Sequence, residues 1–326
     1  MNHHRGHQEL NGIAATTLFA LSLSLLMPTA HAAELTKVTV SMLPVVSSAP
    51  IVAANQLGFF KEEGLEVDVT PTASGAVGLP ALVGDSVDFA ISNIVSIVLA
   101  ANQGLDLKVV AANSDTGPGA PDTSAVVVKA DSSIKGAVDL TGKRLAVNAR
   151  DGLNWLYAKA WIAQAGADPD KVTYIEVPFP QMNDAVTSNQ ADAAYSVDPF
   201  VTRGEASGQL REIGRPFRDV QDNVPKSQLV STGGFIGSHP DVVERFVRAY
   251  KRGVNWMNDH RGQRDWADVV ATITKLKPEI IMKGDQPMLP TSINVETSNK
   301  TIALMVKFGL IDKSIDFGSL LYKVAE

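Results

Sequence analysis

The sequence predicts an α/β fold of two similar units, and three observations carry that expectation. Alternating stretches that suit strands recur between segments of helical spacing, as in "KVTVSML" (37–43) and "LEVDVTP" (65–71) on either side of a helix. Two irregular breaks, "NSDTGPGAPDTS" (113–124) and "REIGRPFRDV" (211–220), interrupt the alternation. The chain has 326 residues and no cysteine, enough for about two domains of ordinary size that rest on apolar cores instead of disulfides. Strand and helix in alternation build parallel sheets with right-handed crossovers.

Each element has its own signal. Ile51, Val52, Leu57 and Phe60 share one helix face after the first strand, and Gly64 behind Lys61-Glu62-Glu63 stops that helix. A short helix is expected from Leu79-Pro80, with Pro80 tolerated in its first turn. Strands follow at "VDFAISN" (87–93) and "LKVVAAN" (107–113). The second unit reads as strands at 124–130, 143–149, 171–178 and 191–197, with helices around 153–166 and 181–190. Beyond 220 the chain is richer in helix. Ser238 is expected to cap a helix with Pro240 early and Asp241 near the positive end of its dipole. Its core stripe is Val242, Val243, Phe246, Val247, Tyr250 and Val254, and further helices cover 265–276, 295–309 and 316–325. If these helices return to complete the first unit, lobe I comprises 33–115 and 215–326, lobe II comprises 116–214, and two strands cross between lobes that can hinge.

Residues 1–32 read as a secretory signal: Arg5 in a polar start, the apolar run 13–27, then Pro28 and the small-x-small site Ala30-His31-Ala32, with cleavage before Ala33. That run is shorter than the roughly 20 residues of a spanning helix. The absence of cysteine excludes a thiolate metal site, a catalytic thiol and a lipid-modified cysteine, so a freely soluble mature chain is expected. A net charge of −6 without a long basic run argues against nucleic acid or an anionic membrane as partner.

Enzyme chemistries find little footing. His3, His4, His7 and His31 lie in the signal segment, leaving His239 and His260, both expected at the surface. A zinc set or a Ser-His-Asp triad cannot be assembled from them, and no G-x-S-x-G elbow is present. "TGKR" (141–144) lacks the upstream glycine of a P-loop, and "STGGFIGS" (231–238) suits a turn before a helix. No catalytic residue, metal or cofactor is expected.

Ligands of parallel α/β sheets gather beyond the carboxyl ends of the strands, where helices begin. In the first unit those positions hold Leu43, Ser47 and Ser48, then Ser74 and Gly75, then Ser92 and Asn93. In the second they hold Asn148, Arg150, Asp151, Asn154 and Trp155, then Phe179 and Gln181, then Tyr195 and Asp198. Singly, such residues favour caps and turns. Together they describe a two-walled cleft for a small polar ligand, particularly an anion. Arg150 is the one cation among them: it can pair bidentately with a carboxylate or sulfonate, or internally with Asp151 or Asp198. Trp155 and Phe179 can cover an aromatic or alkyl body, or belong to the core. Of Ser47 and Ser48, one hydroxyl is expected to cap the helix and the other to face the ligand.

Four stretches between 54 and 200 resemble the periplasmic solute-binding proteins of the NMT1/THI5-like and SsuA/TauA-like group, which feed ABC importers. They are "ANQLGFFKEEGLEVDV" (54–69), "LPALVGDSVDFAISN" (79–93), "DLTGKRLAVNARDG" (139–152) and "QADAAYSVDPF" (190–200). The resemblance implies a type II periplasmic-binding-protein fold, with two α/β lobes joined by two crossover strands and the ligand between them. It implies a periplasmic, monomeric protein whose closed form docks on a membrane permease served by a separate ATPase. The group binds sulfonates, nitrate, aromatic carboxylates, thiamine-precursor pyrimidines and riboflavin; its enzyme branch carries a cysteine-rich motif that has no counterpart here. A small organic anion, an aromatic carboxylate or sulfonate, is the expected solute. The alternatives are a neutral heterocycle such as a pyrimidine, held by stacking on Trp155 or Phe179, and a sensory module that docks on a receptor.

Overall fold

The structure, a computed structural model, describes residues 34–117 and 121–322; the signal segment expected at 1–32 lies outside the described residues. The first lobe contributes β1 (Thr36–Met42), β2 (Leu65–Pro71), β3 (Phe89–Asn93) and β4 (Leu107–Asp115). The second contributes β5 (Ser124–Lys129), β6 (Arg144–Val147), β7 (Thr173–Glu176), β8 (Ala193–Val197) and β9 (Leu210–Gly214). Then β10 (Pro225–Thr232) returns to the first sheet. The sheets have the orders β2-β1-β3-β10-β4 and β7-β6-β8-β5-β9.

Both sheets are mixed, where the alternation of strand and helix predicts parallel ones. In the first, β1 lies parallel to β2 and β3, whereas β10 runs antiparallel between β3 and β4. In the second, β6 lies parallel to β7 and β8, and β5 runs antiparallel to β8 and β9. The reason is the direction of entry. Each antiparallel strand follows a crossover, so the chain enters its new sheet from the side where the parallel strands end. Consequently Ser227 pairs with Asn93, the last residue of β3, and with Ser114, the second-last of β4, and Ser124 pairs with Val197 at the end of β8.

Several element expectations are corrected. The first helix is two, Ala49–Gln56 and Phe59–Glu62, parted at Gly58 with φ +77°; Leu57 is exposed instead of facing the core. The next helix is Gly75–Val83 with Pro80 inside it, because Ser74 caps it and so starts it at Gly75, four residues earlier than Leu79. Ser238 is not the cap of Pro240–Asp259; His239 holds that place. The Ser238 hydroxyl donates instead to the carbonyl oxygens of Gly234 and Phe235, closing the preceding helix Gly233–Ser238. The break at 211–220 contains most of β9 and the helix Pro216–Val220. Of the helix expected at 316–325, the described residues 316–322 form a turn of 3-10 helix, Phe317–Leu320, after which Leu321 bridges to Val109 on β4. Among the described residues no helix is long and apolar enough to cross a membrane.

Packing of the C-terminal helices sets the first wall of the site. The stripe Val242, Val243, Phe246, Val247, Tyr250 and Val254 is buried as its 3.6-residue period requires. Phe246 stacks on Phe89 of β3 at 4.1 Å and on Phe60 at 4.8 Å, so the long helix Pro240–Asp259 grips the sheet and the helix pair beside it. Gly253 lets it lie against Ala49–Gln56: a Cβ there would come within 2.3 Å of the Pro50 carbonyl oxygen. Elsewhere Ile302 and Met305 of Val295–Lys307 share one buried cluster with Val95 of the first lobe and Leu156 of the second.

Gly253→Ala is expected to push Ala49–Gln56 outward and to cost about 1–3 kcal/mol of stability, as overpacking against backbone does. Urea unfolding measures this. An unchanged midpoint would show that the two helices can separate without loss.

Candidate functional site

Between the sheets lies a cavity of about 90 Å³. Since about 10–15 Å³ admits one water, it has room for a small molecule. Its lining comes from the strand ends and helix starts of both lobes: Leu43, Val45, Val46, Ser47, Ser48, Gly75, Ile91, Ser92, Asn93 and Ser114 from the first, and Asn148, Leu153, Asn154, Phe179, Val197 and Asp198 from the second. Thr123, Ser124, Phe217, Lys226, Ser227 and Pro287 complete it.

Ten of the sequence-predicted residues are therefore brought together: Leu43, Ser47, Ser48, Gly75, Ser92, Asn93, Asn148, Asn154, Phe179 and Asp198. Gly75 is required where it stands, because a Cβ would meet the Ser92 hydroxyl at 2.7 Å and the Ser92 Cα at 2.9 Å. That contact brings the start of Gly75–Val83 directly against the end of β3. Asn93 lines the cavity while capping Ile94–Asn102, its Oδ1 accepting from Ser96 N at 2.9 Å. Neither Ser47 nor Ser48 caps Ala49–Gln56 through its side chain, contrary to the expectation. Val46–Ser48 instead forms a 3-10 turn that leads into that helix.

Six predicted residues lie outside the cavity lining. Ser74 is a cap, its hydroxyl accepting from Val77 N. Arg150 is exposed, and its backbone N–H donates to Glu176 Oε1 at 2.7 Å. Asp151 is also exposed, in a left-handed turn with φ +55°. Trp155 follows Asn154 by 100° around the helix Leu153–Gln164 and so turns into the core, edge-on to Tyr174 and beneath the Lys159 ammonium at 4.6 Å. Gln181 is exposed at the start of Met182–Thr187. Tyr195 is fully buried, its hydroxyl accepting from Phe217 N at 3.1 Å, and burial raises its pKa well above the ordinary value.

The cation that lines the cavity is Lys226. It stands second on β10, at the end of that strand that opens on the cavity, and its Nζ donates to Thr123 Oγ1 at 2.9 Å. Burial pulls its pKa below the ordinary lysine value, while Asp122, Asp115 and Asp198 pull it back. Those carboxylates are already engaged elsewhere. Asp115 accepts from Gly117 N, Asp122 from Ser124 N and Arg218 N, and Asp198 from Thr202 N and Oγ1 and from Asp285 N. The ammonium thus faces the cavity with a single hydroxyl partner among the described residues.

Around it are hydroxyls without partners. Ser48, Ser92 and Ser124 are 0%, 1% and 1% exposed, and among the described residues none of their Oγ atoms has a hydrogen-bond partner. A buried hydroxyl left unmade costs about 1–3 kcal/mol. Three such hydroxyls, drawn from both lobes, line one cavity, and each can donate to or accept from a group placed there. The starts of Ala49–Gln56, Gly75–Val83 and Leu153–Gln164 add the positive ends of three dipoles. Leu43, Val46, Ile91, Leu153, Phe179 and Phe217 leave the rest of the lining apolar. Chemically, the arrangement can hold a small amphipathic anion. No group of three or more His, Cys, Asp or Glu that could hold a metal occurs among the described residues.

Sequence reasoning missed Lys226, Ser124, Thr123, Ser114 and Ser227 because it considered neither the end of β4 nor any strand start. The residues lie at or beside the starts of the antiparallel strands β5 and β10, or at the end of β4. The signal available was the crossover itself: a strand that enters from the other lobe begins where the parallel strands finish.

Comparison with known proteins bears on the same architecture. The family model described as NMT1/THI5 like matches residues 46–263. A Bacillus subtilis (strain 168) protein provisionally named an aliphatic sulfonates-binding protein is 25% identical over 280 residues, covering 83% of this chain and 81% of its own length. The riboflavin-binding protein RibY of Chloroflexus aurantiacus is 26% identical over 226 residues, 68% of this chain and 62% of its own. Among solved structures, the alkanesulfonate-binding protein SsuA of Xanthomonas axonopodis pv. citri, bound to MOPS, superposes with a TM-score of 0.75 at 17% identity, covering 89% of this chain and 99% of that one. At that identity the likeness shows the fold: two α/β lobes with mixed sheets.

Asp198 provides a measurable check on the cavity's dryness. Burial pushes its pKa up from 3.8 to about 6, against the lowering effect of its bonds from Thr202 and with a further rise from Asp285. A raised carboxyl pKa means that the folded state holds the proton more tightly. This group's contribution to stability is therefore greatest below pH 3.8 and declines as pH climbs to about 6. Carboxyl carbon NMR should find the Asp198 midpoint near 6; a midpoint near 3.8 would mean that water reaches it freely.

Proposed function

The chain belongs to the NMT1/THI5-like family, and from that premise we propose that it is the periplasmic solute-binding component of an ABC importer, capturing a small organic anion between its lobes. The observation that carries this reading is the convergence of the Lys226 ammonium with the unpartnered hydroxyls of Ser48, Ser92 and Ser124 on one largely apolar cavity. The ammonium and three helix starts receive a sulfonate or carboxylate head. The apolar lining receives an alkyl or aromatic body. Hydroxyls from both lobes make the closed arrangement the one that binds best, so the solute draws the lobes together. The closed shape is what a permease recognises, while a separate ATPase supplies the energy. The chain reaches the periplasm through the signal segment 1–32, works as a monomer and performs no chemistry on its cargo.

The names of relatives support this reading at the level of solute class. A protein named for aliphatic sulfonates and a solved alkanesulfonate-binding protein point to oxyanions. A riboflavin-binding relative points to a heterocycle. The neutral reading loses its stacking residue Trp155 to the core and keeps only Phe179 from the original pair. An ammonium that lines the cavity with a hydroxyl as its hydrogen-bond partner among the described residues favours the anion.

Native mass spectrometry of freshly purified protein, followed by a thermal-shift screen of butanesulfonate, benzenesulfonate, benzoate, a pyrimidine and riboflavin, tests the choice. A solute at 100 times its Kd adds about 2.7 kcal/mol of stability. Lys226→Met is expected to weaken the best anion by about 2–5 kcal/mol in calorimetry, the range for stripping one partner from a buried charge pair. Arg150→Ala, on an exposed side chain, should change it by no more than about 0.5 kcal/mol. The reverse pattern would return Arg150 to the site, and a rise in melting temperature with riboflavin or the pyrimidine alone would overturn the anion.

A further inference from the structure

One short arm of the first lobe reaches across to the second beside the cavity. Its two roots are buried in lobe I: Ile281 and Leu289 belong to the same core cluster as Val38 and Phe246. Leu289 also exchanges two hydrogen bonds with the Asn258 side chain, at 2.8 and 3.0 Å. Between these roots the chain leaves its own lobe. Gly284 sits so close to lobe II that an added Cβ would lie 2.7 Å from Thr202 Oγ1 and 3.5 Å from Asp198 Cγ. Asp285 N donates to Asp198 Oδ2 at 3.2 Å, and the Asp285 carboxylate pairs with Arg215 at 2.6 Å. Arg215 is itself held by both oxygens of Glu212 on β9, at 2.9 and 2.8 Å, and donates to the Asp122 carbonyl oxygen. Two residues further on, Pro287 lines the cavity.

We infer that residues 282–288 form a clasp, fastened by the Arg215–Asp285 pair and the Asp198–Asp285 hydrogen bond, which holds the lobes closed and sets how long a solute stays. The roots cannot slide, because both are packed in lobe I. The tip touches Thr202 and Asp198 of lobe II and Arg215, which directly follows β9 and is held by Glu212 on it, so the lobes cannot part without breaking all of its contacts together. Gly284 is the one residue type that lets the tip approach Thr202 so closely. The pair is partly exposed, 23% at Arg215 and 38% at Asp285, so it can be broken and remade on the time scale of solute release. The clasp rests on the cavity reading only for the identity of what is released; its mechanical part stands on the contacts themselves.

The test uses the absence of native cysteine. Glu66→Cys on the first lobe and Lys143→Cys on the second, both exposed, are spin-labelled and the distance between them is measured by pulsed electron resonance without added solute. Asp285→Asn removes the ion pair while leaving the backbone N–H to Asp198; Gly284→Ala wedges the tip away. Both are expected to move the distance distribution from one dominant short population towards longer separations. In stopped flow with benzenesulfonate, both should speed dissociation by about fivefold, a pair worth up to about 1 kcal/mol, with a much smaller change in association. A distribution unchanged in both variants overturns the clasp, whether or not any anion binds. A shifted distribution with no benzenesulfonate binding supports the clasp and counts against the solute reading alone.

Discussion

A lysine ammonium set at the mouth of a strand that comes from the other lobe is the constraint around which the cleft is built. Lys226 is the second residue of β10, between Pro225 and Ser227, which pair with the end of β4, and β10 runs opposite to its neighbours β3 and β4. Its first residues are therefore forced to the edge of the sheet where those neighbours end. The position is too buried for the ammonium to keep its full hydration, and its pKa falls accordingly. Leaving a charge half-dry is unfavourable unless something of opposite sign approaches. The nearby carboxylates influence it at a distance but spend their short contacts on backbone N–H groups and on Thr202.

The surrounding hydroxyls follow the same logic. Ser48 lies at the end of a 3-10 turn held inward by helix Pro240–Asp259, which Gly253 allows to approach Pro50 closely. Ser92 is the second-last residue of β3, and Ser124 is the first of β5. Each would be satisfied readily at a surface. Inside the cavity, among the described residues, none of the three hydroxyls has a hydrogen-bond partner, and a polar group brought to them there is held more strongly than at a surface. That difference is the free energy a solute can use to hold the lobes together. Contributions from both lobes are essential to it, since a ligand that touched only one wall would shift no equilibrium.

Closure has a second support in contacts the protein makes with itself. The tip around Asp285 spans the lobes, and Asp198 joins it to the cavity wall, since this carboxylate lines the cavity with one oxygen bound to Thr202 and the other to the tip. The cavity wall and the contact between the lobes thus meet at one side chain. Tyr157 extends the connection at the back of the cleft, where its hydroxyl meets Gln221 on the second crossover and Thr301 of the C-terminal helix. The movable parts are tied by polar contacts that can be exchanged, while the lobes themselves are tied by apolar packing that cannot.

Local chemistry in the sequence by itself determined the α/β class, most strand positions, the stripe of helix Pro240–Asp259 and ten residues that line the cavity. Period-two and period-3.6 patterns report burial of a face, and that is settled by neighbours close in sequence. Three things were decided only by tertiary structure. The antiparallel course of β5 and β10 depends on where a crossover enters, which no local pattern encodes. The place of Lys226 in the cavity lining followed from it, because the start of an antiparallel strand lies where its neighbours end, whereas Arg150 follows the parallel β6 and is exposed although Asn148 lines the cavity. The fates of Ser47, Ser48 and Trp155 likewise rested on a turn of backbone or 100° of helix rotation. Such small angles are fixed by packing across the whole molecule, and so they lie beyond what a residue's own neighbourhood can specify.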